Sequence, residues 1–338
     1  MTNLADYTTL KVGGPARKFI EVANEAEIIA ALEEAGDSPV LIMGSGSNLL
    51  ISDNGFKGTV IRITNQEVQS EVDACSGATL TIGAGEDWDA FVETTLNRGF
   101  AGLETLSGIP GTIGAAPIQN IGAYGHEVSE FITRVRTYDR QYMAVKTFTN
   151  AECEFEYRSS IFKKNPGRYV VLSVQFQLRK GEMTTPITYV ELAKKLGIEV
   201  GDKAPVMETR AAVLELRASK GMLLGRNDQD AVSAGSFFTN PIVTAEVAAT
   251  LPADAPKWPQ PDGRVKTSAA WLIENSGISK GDEVQGARVS SKHVLAITNK
   301  GDATAADIAA LAYKIRRAVK EKFGITLEAE VNFVGLSI

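Results

Sequence analysis

The stretch IPGTIGAAPIQNIGAYG (residues 109–125) carries four glycines, two prolines and no charge, yet holds Gln119, Asn120 and Tyr124 in its midst. The uncharged run begins at Thr105, and its roughly 20 residues equal the length that spans a bilayer. Three readings compete: a membrane segment, a buried connection, or a backbone shaped around a ligand. The first fails on chemistry, because Gly, Pro, Gln and Asn would leave backbone and amide groups unsatisfied in lipid. Gly108, Gly111 and Gly114 permit close approach and positive φ, while Ala115 and Ala116 keep the surface flat. Such a run suits a planar, partly apolar cofactor with a pyrophosphate as well as it suits a tightly turning buried link. The residues alone leave these two open.

A second glycine turn lies upstream. The apolar run PVLIM (39–43) reads as a buried strand and ends on Gly44, Ser45, Gly46, Ser47 and Asn48. The dinucleotide pattern GxGxxG fails here, since its third glycine position is Leu49 and residues 52–58 read as a loop instead of a helix. No acidic residue closes a second strand some twenty positions on, where a ribose-binding carboxylate belongs. A turn of glycines and hydroxyls still offers N–H groups to a phosphate. An ordinary strand-to-loop turn has the same composition.

Around these turns the chain alternates helices and strands. Asn24 and Glu27 form a candidate capping box for a helix over 25–35, and 59–63 reads as a strand. From about residue 66 a second region offers a strand at 80–84 and a helix over 87–98 stopped by Gly99. Residues 169–178 alternate apolar and polar, as in a half-exposed antiparallel strand. Beyond about 220, a short helix over 267–276 closes at Gly277. Thr304 and Asp307 then cap a long helix ending near Phe323 and Gly324. The final strand, 328–334, carries Glu328 and Glu330.

Bulk properties narrow the class. The 338 residues are 44% hydrophobic and 22% charged, with a net charge of −6, so a globular chain of two or three domains is expected. No Lys/Arg run marks a nucleic-acid footprint. Cys75 and Cys153 lack CxxC spacing, which points to a reducing compartment and to neither a disulfide framework nor a zinc site. Only two histidines, His126 and His293, stand against a multi-histidine metal site and a Ser-His-Asp hydrolase. No metal is therefore expected. Residues 1–14 contain no apolar secretory core, so the expected location is cytoplasmic. Taken singly, Arg158 reads as a surface arginine, Ser236 as a loop serine and Glu330 as a solvent-facing strand residue.

Several blocks occur together in one order: TTLKVGGPA (8–16), GSGSNLL (44–50), the 109–125 run, YRSSIFK (157–163), AGSFFTNP (234–241), WLIENSG (271–277) and LEAEV (327–331). This series resembles the UDP-N-acetylenolpyruvoylglucosamine reductase (MurB) family of peptidoglycan precursor synthesis, in its branch with a substrate-covering tyrosine loop. The resemblance covers nearly the whole chain. It implies an α+β chain: a PCMH/vanillyl-alcohol-oxidase-type FAD-binding fold of two α/β subdomains plus a C-terminal α/β substrate-binding domain. The implied divisions are 1–65 with 326–338, 66–217 and 218–325.

The resemblance further implies non-covalent FAD, held by Gly44, Ser45, Gly46, Ser47, Asn48 and Leu49 and by Ile109, Pro110, Gly111, Thr112, Ile113, Gly114 and Ala115. NADPH is the implied co-substrate, and UDP-N-acetylglucosamine enolpyruvate is the small molecule reduced, hydride going to C3 and a proton to C2. Arg158, Ser236 and Glu330 take the catalytic positions. Arg158 would stabilise an enolate with its fixed fork of donors, and Ser236 would deliver the proton. Glu330 would help only if protonated, which an apolar site promotes. Tyr124, Tyr189, Lys220, Asn240 and His293 match substrate contacts. Neither nucleic acid nor membrane is an expected partner, and a monomer is expected. The chain departs from the family at Thr239, where lysine is common, at Ser233, where asparagine is usual, and at His293, where one branch has glutamine. Its 221–232 segment is also longer than usual.

Overall fold

The computed structural model describes residues 1–73, 77–225 and 228–338; Cys75 lies outside them. A parallel βαβ unit opens the chain, with β1 (Ala16–Val22), α1 (Glu25–Ala35) and β2 (Val40–Met43). It is followed by β3 (Leu49–Ile51) and β4 (Phe56–Ile63). β4 runs parallel between β1 and β2, and its strand character from Phe56 shortens the loop expected over 52–58. The α1 cap is half of the expected box. Asn24 accepts the Glu27 N–H at 2.9 Å, but the Glu27 carboxylate turns to the N–H of Ala23.

A second, antiparallel sheet is built from β5 (Val68–Asp73), β6 (Gly77–Gly83), β7 (Phe100–Ala101), β10 (Ile132–Asp139), β11 (Ala144–Thr149) and β12 (Tyr169–Lys180). The same region holds α2 (Trp88–Asn97), the hairpin β8 (Gly122–Ala123) and β9 (His126–Glu127), and the single turn α3 (Ile161–Lys164). Strand β12 lies between β10 and β6, and its alternation buries Val170, Leu172, Val174, Phe176 and Leu178. Of these, Phe176 packs on Trp88 and Phe91 of α2; Trp88 is 1% exposed and donates its indole N–H to the Leu106 carbonyl at 2.9 Å. Asp87 caps α2, and Gly99 beyond its end takes φ +78. As the chemistry of the 109–125 run requires, it forms no membrane-spanning helix: residues 113–120 run as consecutive turns. Among the described residues, no helix is long and apolar enough to cross a membrane.

Two helices, α4 (Val190–Leu196) and α5 (Val206–Ser219), pack into a small cluster that Tyr124 joins. The rest of the chain follows in order: β13 (Ser233–Ser236), β14 (Ile242–Val243), α6 (Ala245–Thr250), β15 (Lys257–Pro259), β16 (Val265–Thr267), α7 (Ala269–Glu274), β17 (Glu283–Val284), β18 (Ala287–Val289), β19 (Ala296–Asn299) and α8 (Ala305–Phe323). The sheet β13-β19-β18-β17 is covered by α8, which buries Ile308, Leu311, Ala312, Ile315 and Val319 at helical spacing. Fully burying each such Ile or Leu stabilises by about 1.5–3 kcal/mol. Thr304 and Asp307 form the expected reciprocal capping box.

The expected last strand is shorter than 328–334. Only β20 (Asn332–Val334) forms, in parallel with the three-residue β3. Upstream, the backbone leaves that pairing to cross the end of β13. There Ala329 bridges Phe238, and the Glu330 N–H donates to the Phe237 carbonyl at 2.8 Å. Glu330 is therefore not an alternating strand residue. It sits where the chain passes between two sheets.

Candidate active site

Two loops face each other at the end of β2. Residues 44–48 turn away from the strand, and the Ser47 hydroxyl ties them to the Pro110 carbonyl at 3.0 Å. A Cβ on Gly44 would lie 2.3 Å from Thr112 Oγ1, so the loops meet at a distance only glycine allows. Gly46 has φ +66, and a Cβ there would lie 2.0 Å from the Tyr7 carbonyl oxygen. The N–H groups of Ser45, Gly46, Ser47, Asn48, Gly111 and Thr112 donate to no main-chain carbonyl among the described residues. The Ser45 hydroxyl is buried with no partner.

Two adjoining cavities of about 150 and 380 Å³ open on these loops, sharing Ile42, Met43, Gly44, Thr112 and Ala115. N–H groups left without main-chain partners on two facing loops suit an anion, and the apolar lining that includes Phe162 and Tyr169 suits flat rings. The residues present thus fit FAD. No histidine lines either cavity, which fits non-covalent binding. Not every cradle candidate faces them. Ile113 is fully buried in the core with its N–H on Glu86 O at 2.9 Å, and Ile109 lines neither cavity. The Gly114 N–H is likewise taken, by Ala84 O at 2.8 Å.

Arg158 and Glu330 meet beside the cradle. Arg158 Nε stands 2.9 Å from Glu330 Oε1, and both side chains are less than one-fifth exposed. The other guanidinium nitrogens donate to the carbonyls of Asn120 at 3.4 Å and Gly122 at 2.7 Å, so the 109–125 run itself clamps the arginine. Asn120, Tyr124 and Arg158 all hold positive φ, at 46°, 50° and 53°. This conformation costs a non-glycine residue roughly 1–2 kcal/mol, and such strain concentrates at functional sites. Burial pushes the Glu330 carboxyl above its usual range, while Arg158 and Lys163 pull against it. Ser236 reaches this group through the backbone, because its neighbour Phe237 accepts the Glu330 N–H.

A third group gathers around Tyr124. Its ring meets that of Tyr189 edge-on at 5.4 Å, and the Lys220 ammonium lies 5.9 Å from its centroid. Burial pushes the Tyr124 phenol up to about 12. It lowers His293 to about 4, with Lys220 and Lys280 adding repulsion, so the imidazole is neutral. Asn240 stands apart from these residues. Its N–H donates to the Tyr157 hydroxyl at 3.3 Å, and its side-chain oxygen accepts the first N–H of α7.

Two residues of the site escaped sequence reasoning. Gln119 accepts from Asn48 Nδ2 at 2.9 Å and donates to Glu330 Oε1 at 3.3 Å, joining cradle to carboxylate. Its only signal was an amide inside an uncharged run. Lys163 donates to the Arg158 carbonyl at 2.9 Å and lines the larger cavity. Among the described residues no group of three or more His, Cys, Asp or Glu is placed to hold a metal ion.

The cradle, the cavity and the match of residues 16–141 to the family model described as FAD binding domain define a flavoprotein of α+β architecture. Residues 227–334 match the model for the C-terminal domain of UDP-N-acetylenolpyruvoylglucosamine reductase. Proteins of that name from Cutibacterium acnes and Streptomyces avermitilis are each 48% identical to this chain. The alignments cover 99% of the chain and 90% and 94% of those proteins. The chain belongs to the UDP-N-acetylenolpyruvoylglucosamine reductase family, and it is an FAD-containing oxidoreductase of peptidoglycan precursor synthesis. The solved structure of UDP-N-acetylenolpyruvylglucosamine reductase (MurB) from Thermus caldophilus superposes with a TM-score of 0.68 at 26% identity, covering 98% of this chain and 97% of that one.

Proposed function

We propose that this chain uses NADPH and bound FAD to reduce UDP-N-acetylglucosamine enolpyruvate to UDP-N-acetylmuramate. The observation that carries the proposal is the buried Arg158–Glu330 pair, joined through Gln119 to the cradle residue Asn48. FAD, when bound and reduced, supplies the hydride that adds to C3 of the enolpyruvyl group. Negative charge then builds on C2 and the adjacent carboxylate. Arg158, fixed by two carbonyls and permanently charged, is pre-aimed to stabilise it. Glu330 assists as a protonated donor, a state that its burial favours. Ser236 delivers the proton to C2, a role in which a weak acid succeeds only against a strongly basic centre. The nest at residues 44–48 and 111–112 holds the FAD pyrophosphate, with Leu49, Pro110, Gly114 and Ala115 shaping its walls.

Tyr124, Tyr189, Lys220 and His293 are assigned to the nucleotide end of the substrate, with Lys220 meeting the diphosphate as a point charge. Asn240 belongs to the Arg158 side of the site through Tyr157. Residues 1–65 with 326–338, 66–217 and 218–325 form the three functional parts. The parallel pairing of β20 with β3 supports returning the C-terminus to the first part. A cytoplasmic monomer suits an enzyme that draws on NADPH and a nucleotide sugar. The test is product analysis: one UDP-N-acetylmuramate formed per NADPH consumed is expected, and NADPH oxidation without that product rejects the assignment.

A further inference from the structure

Lys220 is already occupied. Its ammonium donates to Glu191 Oε2 at 2.6 Å while lying over the Tyr124 ring. Glu191 stands in the first turn of α4, two residues beyond Tyr189, whose ring packs on Tyr124. Lys220, Lys280 and Glu191 all act on the buried, neutral imidazole of His293. The two lysines and one carboxylate sum to +1. Withdrawing Glu191 removes one negative charge from this group, which favours an incoming diphosphate. Withdrawal is easy, because the Glu191 side chain is 43% exposed and a half-exposed ion pair is weakly held.

We propose that Glu191 is a built-in occupant of the diphosphate position: it holds Lys220 in the ligand-free enzyme and is displaced when a diphosphate enters. It thereby sets the affinity of the site for a diphosphate. The inference rests on the assignment of Lys220 to the diphosphate.

Calorimetric titration of the FAD-loaded enzyme with UDP and with uridine tests it. Glu191→Gln keeps the shape and removes the competing charge. It should bind UDP roughly three- to tenfold tighter, about 0.7–1.4 kcal/mol at 1.4 kcal/mol per tenfold, and bind uridine unchanged. Glu191→Asp, which keeps the charge, should stay near the wild type. UDP affinity that is unchanged or weaker in Glu191→Gln overturns the proposal, and so does an equal gain for uridine, which would make Glu191 a structural prop. Lys220→Met should lose UDP affinity, and adding Glu191→Gln to it should then gain nothing. A gain that persists without Lys220 overturns displacement, whereas wild-type affinity in Lys220→Met would reject the assignment of Lys220 itself.

Discussion

Arg158 Nε lies 2.9 Å from Glu330 Oε1, yet no hydrogen bond aligns between them. The pair is close enough for strong electrostatic contact, while the Nε–H of a buried guanidinium remains unclaimed. An unsatisfied buried charged donor costs more than the 1–3 kcal/mol typical of a neutral group. On the proposed assignment, an oxygen that gains charge only as the enolate forms would claim that N–H more strongly than the bound substrate does, and so favour the reacting state.

Ser236→Ala should leave reduction of the flavin by NADPH nearly intact and slow the second half-reaction by about 10²–10⁴-fold. Stopped-flow absorbance separates the two halves. Equal losses in both would make Ser236 structural.

Glu330 gives a pH signature. Burial raises its carboxyl above the ordinary 4.5, so the folded protein keeps that proton at pH values where an unfolded chain has lost it. The associated stability is fully present below 4.5 and is lost as pH rises through the raised folded value. The rate of substrate reduction should fall on the alkaline side over the same window. In Glu330→Gln that limb should vanish, and the wild type's stability relative to the variant should shrink as pH climbs. A pH–rate profile with the same alkaline limb in the variant assigns it to another group.

Gly46→Ala places a Cβ against the Tyr7 carbonyl at positive φ. A loss of roughly 2–4 kcal/mol is expected from backbone strain and overpacking together. Thermal melts and flavin content after purification measure it. A variant that melts like the wild type and keeps its flavin would refute the cradle geometry.

The flavin should leave on denaturation without proteolysis, because no histidine lines the cavities. Apoprotein should melt at a lower temperature, and FAD at 100 times its Kd should restore about 2.7 kcal/mol. Flavin that stays with the precipitated chain would show a covalent link.

Much of this was legible in the sequence wherever one physical signal decided the outcome. The 3.6-residue stripe of α8 with its Thr304–Asp307 box, the period-2 alternation of β12 and the glycine stop of α2 all depend on local chemistry. The site was legible as motif blocks, not as geometry. That Asn120 and Gly122 present carbonyls to Arg158 depends on their φ values, which composition does not encode. Gln119 and Lys163 act through partners 71, 211 and 5 residues away, a relation that only the fold creates. The strand expected through Glu330 failed for the same reason, since a tertiary bond to Phe237 redirected its backbone.

Single turnover without oxygen isolates the reduction of the enolpyruvyl sugar from every other fate of the reduced flavin. Enzyme reduced with one equivalent of NADPH is mixed with UDP-N-acetylglucosamine enolpyruvate under anaerobic conditions, and flavin absorbance is followed. Rapid return of the oxidised flavin spectrum, together with formation of UDP-N-acetylmuramate, is expected. Flavin that stays reduced in the presence of substrate would show that this chain does not reduce the enolpyruvyl sugar.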